Sequence, residues 1–144
     1  MKKIIVATDS FKGTLSALQA TQIIAEEFKN TGAFEVLQIP LADGGEGTLD
    51  LVKKYCKAKS VIHECKDLTG NSIQAEYLLL NGQTAFIESA QTIGLNLACG
   101  AKIVQNYTTF GLGEQISHAI NNGVKKYTSH LAEVELMILG VEWQ

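Results

Sequence analysis

The stretch VATDSFKGTLSA, residues 6–17, decides how the chain is read. A short β-branched run, KIIVAT at residues 3–8, meets an acid, a hydroxyl, a lysine and a glycine, and the pattern then turns helical. The run is consistent with a strand buried in a parallel sheet. From Leu15 to Asn30, Ala17, Ala20, Ile24 and Phe28 fall on one stripe, while Glu26, Glu27 and Lys29 lie off it. Thr14 or Ser16 can cap the start of that helix. Asn30-Thr31-Gly32 ends it, with Gly32 suited to the left-handed turn past a helix.

The arrangement then repeats. FEVLQI (34–39) reads as a second strand, and PLADGGEGTLD (40–50) again runs from apolar residues through an acid and glycines into a helix, here from about Glu46 to Cys56. Leu49, Val52 and Cys56 recur at helical spacing. A β-α-β-α order with short crossovers implies a parallel, right-handed sheet, so the fold class expected is α/β with a Rossmann- or flavodoxin-like start.

After residue 58 the style changes. KSVIHECKD, QAEYLLL and QTAFIES are strand-like, and Asn81-Gly82 between the last two is a strong hairpin signal. The expected organisation is therefore an α/β unit over 1–59 and the start of an inserted, mixed α/β subdomain over 60–127. A further helix is expected at about 111–122, with Leu112, Ile116, Ala119 and Ile120 on one face. The last twenty residues are weakly patterned and predict neither a strand pair nor a well-capped helix.

Bulk composition narrows the function. The chain has 144 residues, 46% apolar and 19% charged, with one proline and a net charge of −3. There is no basic excess to meet the phosphates of nucleic acid or an anionic membrane. No apolar run approaches the ~18 residues of a bilayer span. The opening MKKIIVATDS does not read as a signal peptide. Three cysteines without CxxC pairing imply a reduced, cytoplasmic setting. The three histidines are scattered without metal-ligand spacing.

In an open α/β sheet ligands bind beyond the carboxyl ends of the strands, and both junctions lie there. Asp9 and Asp43 would face one crevice, with Lys12 beside them. Gly44, Gly45 and Gly47 let backbone N–H groups approach an anion, and the helix near Glu46 adds its positive end. Two carboxylates suit a divalent metal such as magnesium, and a lysine suits a phosphate or an organic carboxylate. Phosphoryl transfer asks for that combination, since it is mostly positioning and charge neutralisation. The same residues have a plainer reading: Asp9-Ser10 as a turn and cap, Asp-Gly-Gly as loop chemistry, Lys12 as a solvated charge, Glu46 as a helix-start charge. Ser89 and Gln91, past another strand end, are equally ambiguous. Neither stretch is a Walker A loop or a GxGxxG fingerprint.

DSFKGTLSA and LADGGEGT, about thirty residues apart, resemble the opening of the glycerate kinase family, with its PDSFKGSLSA and MADGGEGT. AFIESAQTIGLNL and YTTFGLGEQI resemble its IEMAAASGL and TTTYGTGELI, so the resemblance spans nearly residues 1–127. It implies ATP-dependent phosphorylation of D-glycerate with magnesium. By position, Asp9, Lys12 and Asp43 would be catalytic, Asp9 and Asp43 holding metal or a substrate hydroxyl and Lys12 the transferred phosphate. Ser10, Gly13, Gly44, Gly45, Glu46, Glu88 and Thr109 would bind substrate or phosphate. Thr8 stands where the family has proline, and residues 98–105, ACGAKIVQ, lack its Pro/Glu/Arg-rich linker.

The end departs further. The family continues with a glycine-rich motif, roughly GGSATNDGGAGM, whereas this chain has HLAEVELMILGVEWQ. Read one base earlier, the codons of Met137 and Ile138 must spell Asp, and codon degeneracy permits a GGS-TND-like run around it. The expectation is a frameshift near residues 127–129, an out-of-frame tail over 128–144, and a truncated, inactive fragment. A stand-alone module that binds an organic acid or phosphate, and a product without function, are the rival readings.

Overall fold

The structure is a computed structural model that describes residues 1–94, 97 and 106–130. Cys99, the segment 98–105 and the tail from 131 onward lie outside the described residues.

Two strands open the fold. β1 (Lys2–Val6) and β2 (Phe34–Gln38) pair in parallel, in register from Lys2 opposite Phe34 to Val6 opposite Gln38. Helix α1 (Ala17–Asn30) connects them and packs mainly on β2. Of the two possible caps, Ser16 is the one used. Its hydroxyl accepts from the Gln19 N–H at 3.2 Å, and Gln19 Oε1 accepts from the Ser16 N–H at 3.0 Å, satisfying two donors reciprocally. The buried face is Ala17, Ala20, Thr21 and Ala25, with Ile24 and Phe28 only half-buried. Gly32 takes the left-handed φ of +66° expected past the helix.

Helix α2 (Thr48–Tyr55) follows, and then a four-stranded mixed sheet in the order β3 (Ala58–Lys66), β4 (Ser72–Leu80), β5 (Thr84–Glu88), β6 (Lys126–His130). The first two pairings are antiparallel and the last is parallel. Asn81 and Gly82 turn β4 into β5 with φ of +54° and +70°, both left-handed as a type I′ hairpin requires. α3 (Ala90–Ile93) and α4 (Phe110–Asn121) cover the sheet, and Tyr77, Ile87, Ile93, Leu112, Ala119 and Val124 form its core with Leu68 and Ala85. The architecture is the expected α/β one, a parallel pair followed by a mixed sheet.

Two expectations need correcting. Residues 126–130, in the stretch expected to be weakly patterned, form a strand, β6. Lys126, Tyr127 and Thr128 are exposed, and the strand is made by its parallel main-chain pairing to β5. Ile120 does not join the buried face of α4: it is exposed, and Gly111, Leu112, Gln115 and Ala119 are buried instead. The helix packs unusually close to β3 at Gly111, where an added Cβ would stand 1.6 Å from the Lys66 carbonyl oxygen. Beside it, Glu114 Oε2 accepts from the Lys66 N–H at 2.8 Å.

Candidate active site at the end of the parallel strands

Two hydrogen bonds carry the β1–β2 pairing past the strand ends. The Ile39 N–H donates to the Val6 carbonyl at 2.8 Å, and the Leu41 N–H to the Thr8 carbonyl at 2.9 Å. The two loops therefore leave the sheet side by side. Thr8, in the family's proline position, also shares a 2.7 Å hydrogen bond between its Oγ1 and that of Thr21, which ties the strand end to α1.

The first loop is narrow. Asp9 Oδ1 accepts from the Ser10 N–H at 2.6 Å. Phe11 and Leu15 then close on each other, N–H to carbonyl at 2.8 and 3.1 Å, leaving Lys12, Gly13 and Thr14 exposed at the tip. Gly13 has φ of +71° there, a conformation that strains an L side chain. In the second loop Asp43 Oδ1 accepts from the Gly45 N–H at 2.8 Å, and the Gly45 carbonyl accepts from the Thr48 hydroxyl at 2.7 Å. Gly44 and Gly45 are buried; Asp43 is exposed. The loop is held from behind by Glu88, whose Oε1 accepts from the Gly47 N–H at 3.1 Å and Oε2 from the Leu49 N–H at 2.8 Å.

Between the loops lies a cleft of about 50 Å³ whose wall includes Asp9, Ser10, Ser16, Glu46, Gly47 and Asp50. It brings together four of the residues picked from sequence, Asp9, Ser10, Glu46 and Gly47. Lys12, Gly13, Asp43, Gly44, Gly45 and Glu88 belong to the flanking loops or their support and do not line it. Thr109 is away from it, exposed at the N-cap of α4. Gln91 has a structural task, its Oε1 accepting from the Glu76 N–H at 2.8 Å. Asp50 was missed by sequence reasoning; it stands in the first turn of α2, whereas Glu46 precedes the N-cap Gly47, so no helical spacing links the two.

The cleft is acidic, with Asp9, Glu46 and Asp50 on its wall. Burial pushes the Glu88 carboxyl above its usual range, against the two N–H bonds that favour its ionised form, and Asp50 and Glu46 add to the upward push. An anion entering here needs a cation beside it. Among the described residues no three His, Cys, Asp or Glu side chains converge to hold a metal. Magnesium fits such a place nonetheless, since it commonly uses one or two carboxylates and completes its shell with water and phosphate oxygens. Asp9 and Asp43 each spend only Oδ1 on the hydrogen bonds described above, to the Ser10 and Gly45 N–H groups.

Residues 4–129 match the glycerate kinase family. The chain belongs to that family. A glycerate kinase of Halalkalibacterium halodurans is 33% identical over 129 residues, which are 88% of this chain and 34% of the relative. One of Bacillus subtilis is 36% identical over 128 residues, 86% of this chain and 33% of the relative. A crystal structure of a protein described as glycerate kinase 2 from Salmonella typhimurium LT2 superposes with a TM-score of 0.63 at 34% identity, over 88% of this chain and 35% of that one. The chain thus spans about a third of the length of the glycerate kinases it matches. Among the described residues no helix is long and apolar enough to cross a membrane.

Proposed function

We propose that this chain carries the acid-binding part of a kinase that phosphorylates D-glycerate with ATP and magnesium. The observation that carries the reading is the pairing of the two family motifs across one sheet end, so that Asp9, Ser10 and Glu46 share a cleft. Asp9 and Asp43 orient the glycerate hydroxyl or hold the metal, and Lys12 neutralises the transferred phosphate. Magnesium, when bound, would spread the phosphate charge; the chain's own residues position the acceptor. Residues 1–59 form the first part of the α/β domain in this reading, and 60–127 begin an inserted one.

Binding of glycerate without phosphoryl transfer is a second reading, favoured by the size of the cleft. About 50 Å³ falls far below the ~300 Å³ at which ligand pockets begin, so the cleft has no room for a nucleotide. Calorimetric titration of the 144-residue chain with glycerate, and an assay of glycerate-dependent ADP release, separate the two. Binding with ADP release supports the kinase; binding alone supports the second reading. No binding of glycerate removes both.

A further inference from the structure

Glu88 stands at the last position of β5, and its carboxylate is engaged on a different element. Its two oxygens take the N–H groups of Gly47 and Leu49, 41 and 39 residues back in the chain. These donors are the N-cap and the second residue of α2, and Gly47 makes no side-chain cap of its own. The first N–H groups of a helix have no partner inside it and must find one elsewhere. A cap normally comes from the adjoining residues; this one comes from the mixed sheet. The residue is only 4% exposed, so its ionised form needs the charge-assisted bonds and the positive helix end that it finds there.

The same two bonds take up N–H groups that the glycine loop would otherwise offer an anion. They also fix Gly47, and with it the direction in which Glu46 and Asp50 leave the backbone toward the cleft.

We infer that Glu88 is a positioning residue and not a ligand: it clamps the start of α2 to the mixed sheet and so sets where Glu46, Gly47 and Asp50 stand opposite Asp9 and Ser10. The consequence for glycerate rests on the function proposed above; the clamp itself does not.

Amide hydrogen exchange by NMR on the full 144-residue chain tests it. In Glu88→Gln one N–H faces the new amide NH2, and exchange at Gly47 and Leu49 should accelerate about 10- to 100-fold, the loss of one buried charge-assisted bond. The amides of β4 should stay protected. In Glu88→Ala, added formate should restore protection at Gly47 and Leu49, which a role in packing alone would not allow. Glycerate affinity, read by NMR titration, should fall about tenfold in Glu88→Gln.

Unchanged exchange at Gly47 and Leu49 overturns the clamp. So does a uniform loss of protection that formate does not reverse, which would make Glu88 a residue of folding. Faster exchange with unaltered glycerate affinity overturns the claim that the clamp shapes the cleft. If the unsubstituted chain binds no glycerate while the exchange results hold, the clamp stands and the proposed function falls.

Discussion

The N–H of Leu41 donates to the carbonyl of Thr8 at 2.9 Å, beyond the last paired residues of β1 and β2. That bond sets the separation of two loops that are more than thirty residues apart in the chain. Asp9 follows one partner directly, and Asp43 follows the other by two residues. The site is therefore an extension of the parallel sheet, and its chemistry can be probed without touching the sheet.

Asp43→Asn removes a charge and keeps the Oδ1 that accepts from the Gly45 N–H. Asp43 is exposed, so its stability cost should stay within about 0.5 kcal/mol. Glycerate affinity should fall about tenfold or more, equivalent to ~1.4 kcal/mol. Calorimetry paired with a thermal melt checks both halves, and unaltered affinity would take Asp43 out of the site.

Gly111→Ala should cost about 3 kcal/mol in urea denaturation, the upper end of ordinary overpacking. Its Cβ would stand 1.6 Å from backbone oxygen of Lys66, which cannot rotate away. Gly113→Ala, in the same helix with nothing within 4 Å of its Cβ, should instead be neutral or stabilise by up to ~1 kcal/mol. Equal effects would mean that α4 does not lie on β3 as described.

Stability should decline on mild acidification. The buried His63 ring stacks on His118 at 4.4 Å, with Tyr77 of β4 beside it and the Glu114 charge of α4 acting on it. Its Nδ1 meets the Glu64 carbonyl at 3.1 Å, while Nε2 has no partner. Burial lowers its pKa below the usual 6.5, the Glu64 carbonyl opposes this, His118 lowers it further and Glu114 raises it. Between the depressed value and 6.5 the unfolded chain binds more protons than the folded one. Stability is then full above about pH 6.5 and is lost as the pH falls through that window. Glu88, raised by burial, acts in the opposite sense as pH rises above its ordinary range. The urea midpoint should be lower at pH 5.5 than at pH 7.5, and His63→Phe should flatten the difference; an unchanged slope in that variant would exclude His63 as its source.

The thiols should differ in reactivity. Burial, with the Glu114 and Asp67 charges, pushes the Cys65 thiol up to about 11, whereas Cys56 is exposed. Iodoacetamide at pH 8, mapped by peptide mass, should label Cys56 early and Cys65 only in denaturant, because the thiolate is the reactive form. Early labelling of Cys65 would show that α4 lifts readily from β3.

Local signals carried much of the fold. The Ser16 cap, the left-handed Gly32 and the Asn81-Gly82 hairpin each follow from the chemistry of a few neighbouring residues, and each stands where the sequence puts it. Signals failed where no local chemistry exists. β6 has no apolar period to read, α3 is a single turn, and Ile120 faces solvent because the close approach of Gly111 to Lys66 decides which side of α4 packs.

The sequence by itself determined the parallel opening, the mixed sheet after it, the two acid-glycine junctions and the family they belong to, because period, turn chemistry and motif are properties of adjacent residues. Only the tertiary structure decided that Asp50 joins Asp9 and Glu46 in one cleft, that Thr109 stands elsewhere, and that Glu88 spends its carboxylate on Gly47 and Leu49. Those relations depend on which backbone donors a helix leaves unsatisfied and which distant side chain the packing brings to them. Spacing along the chain carries no record of that.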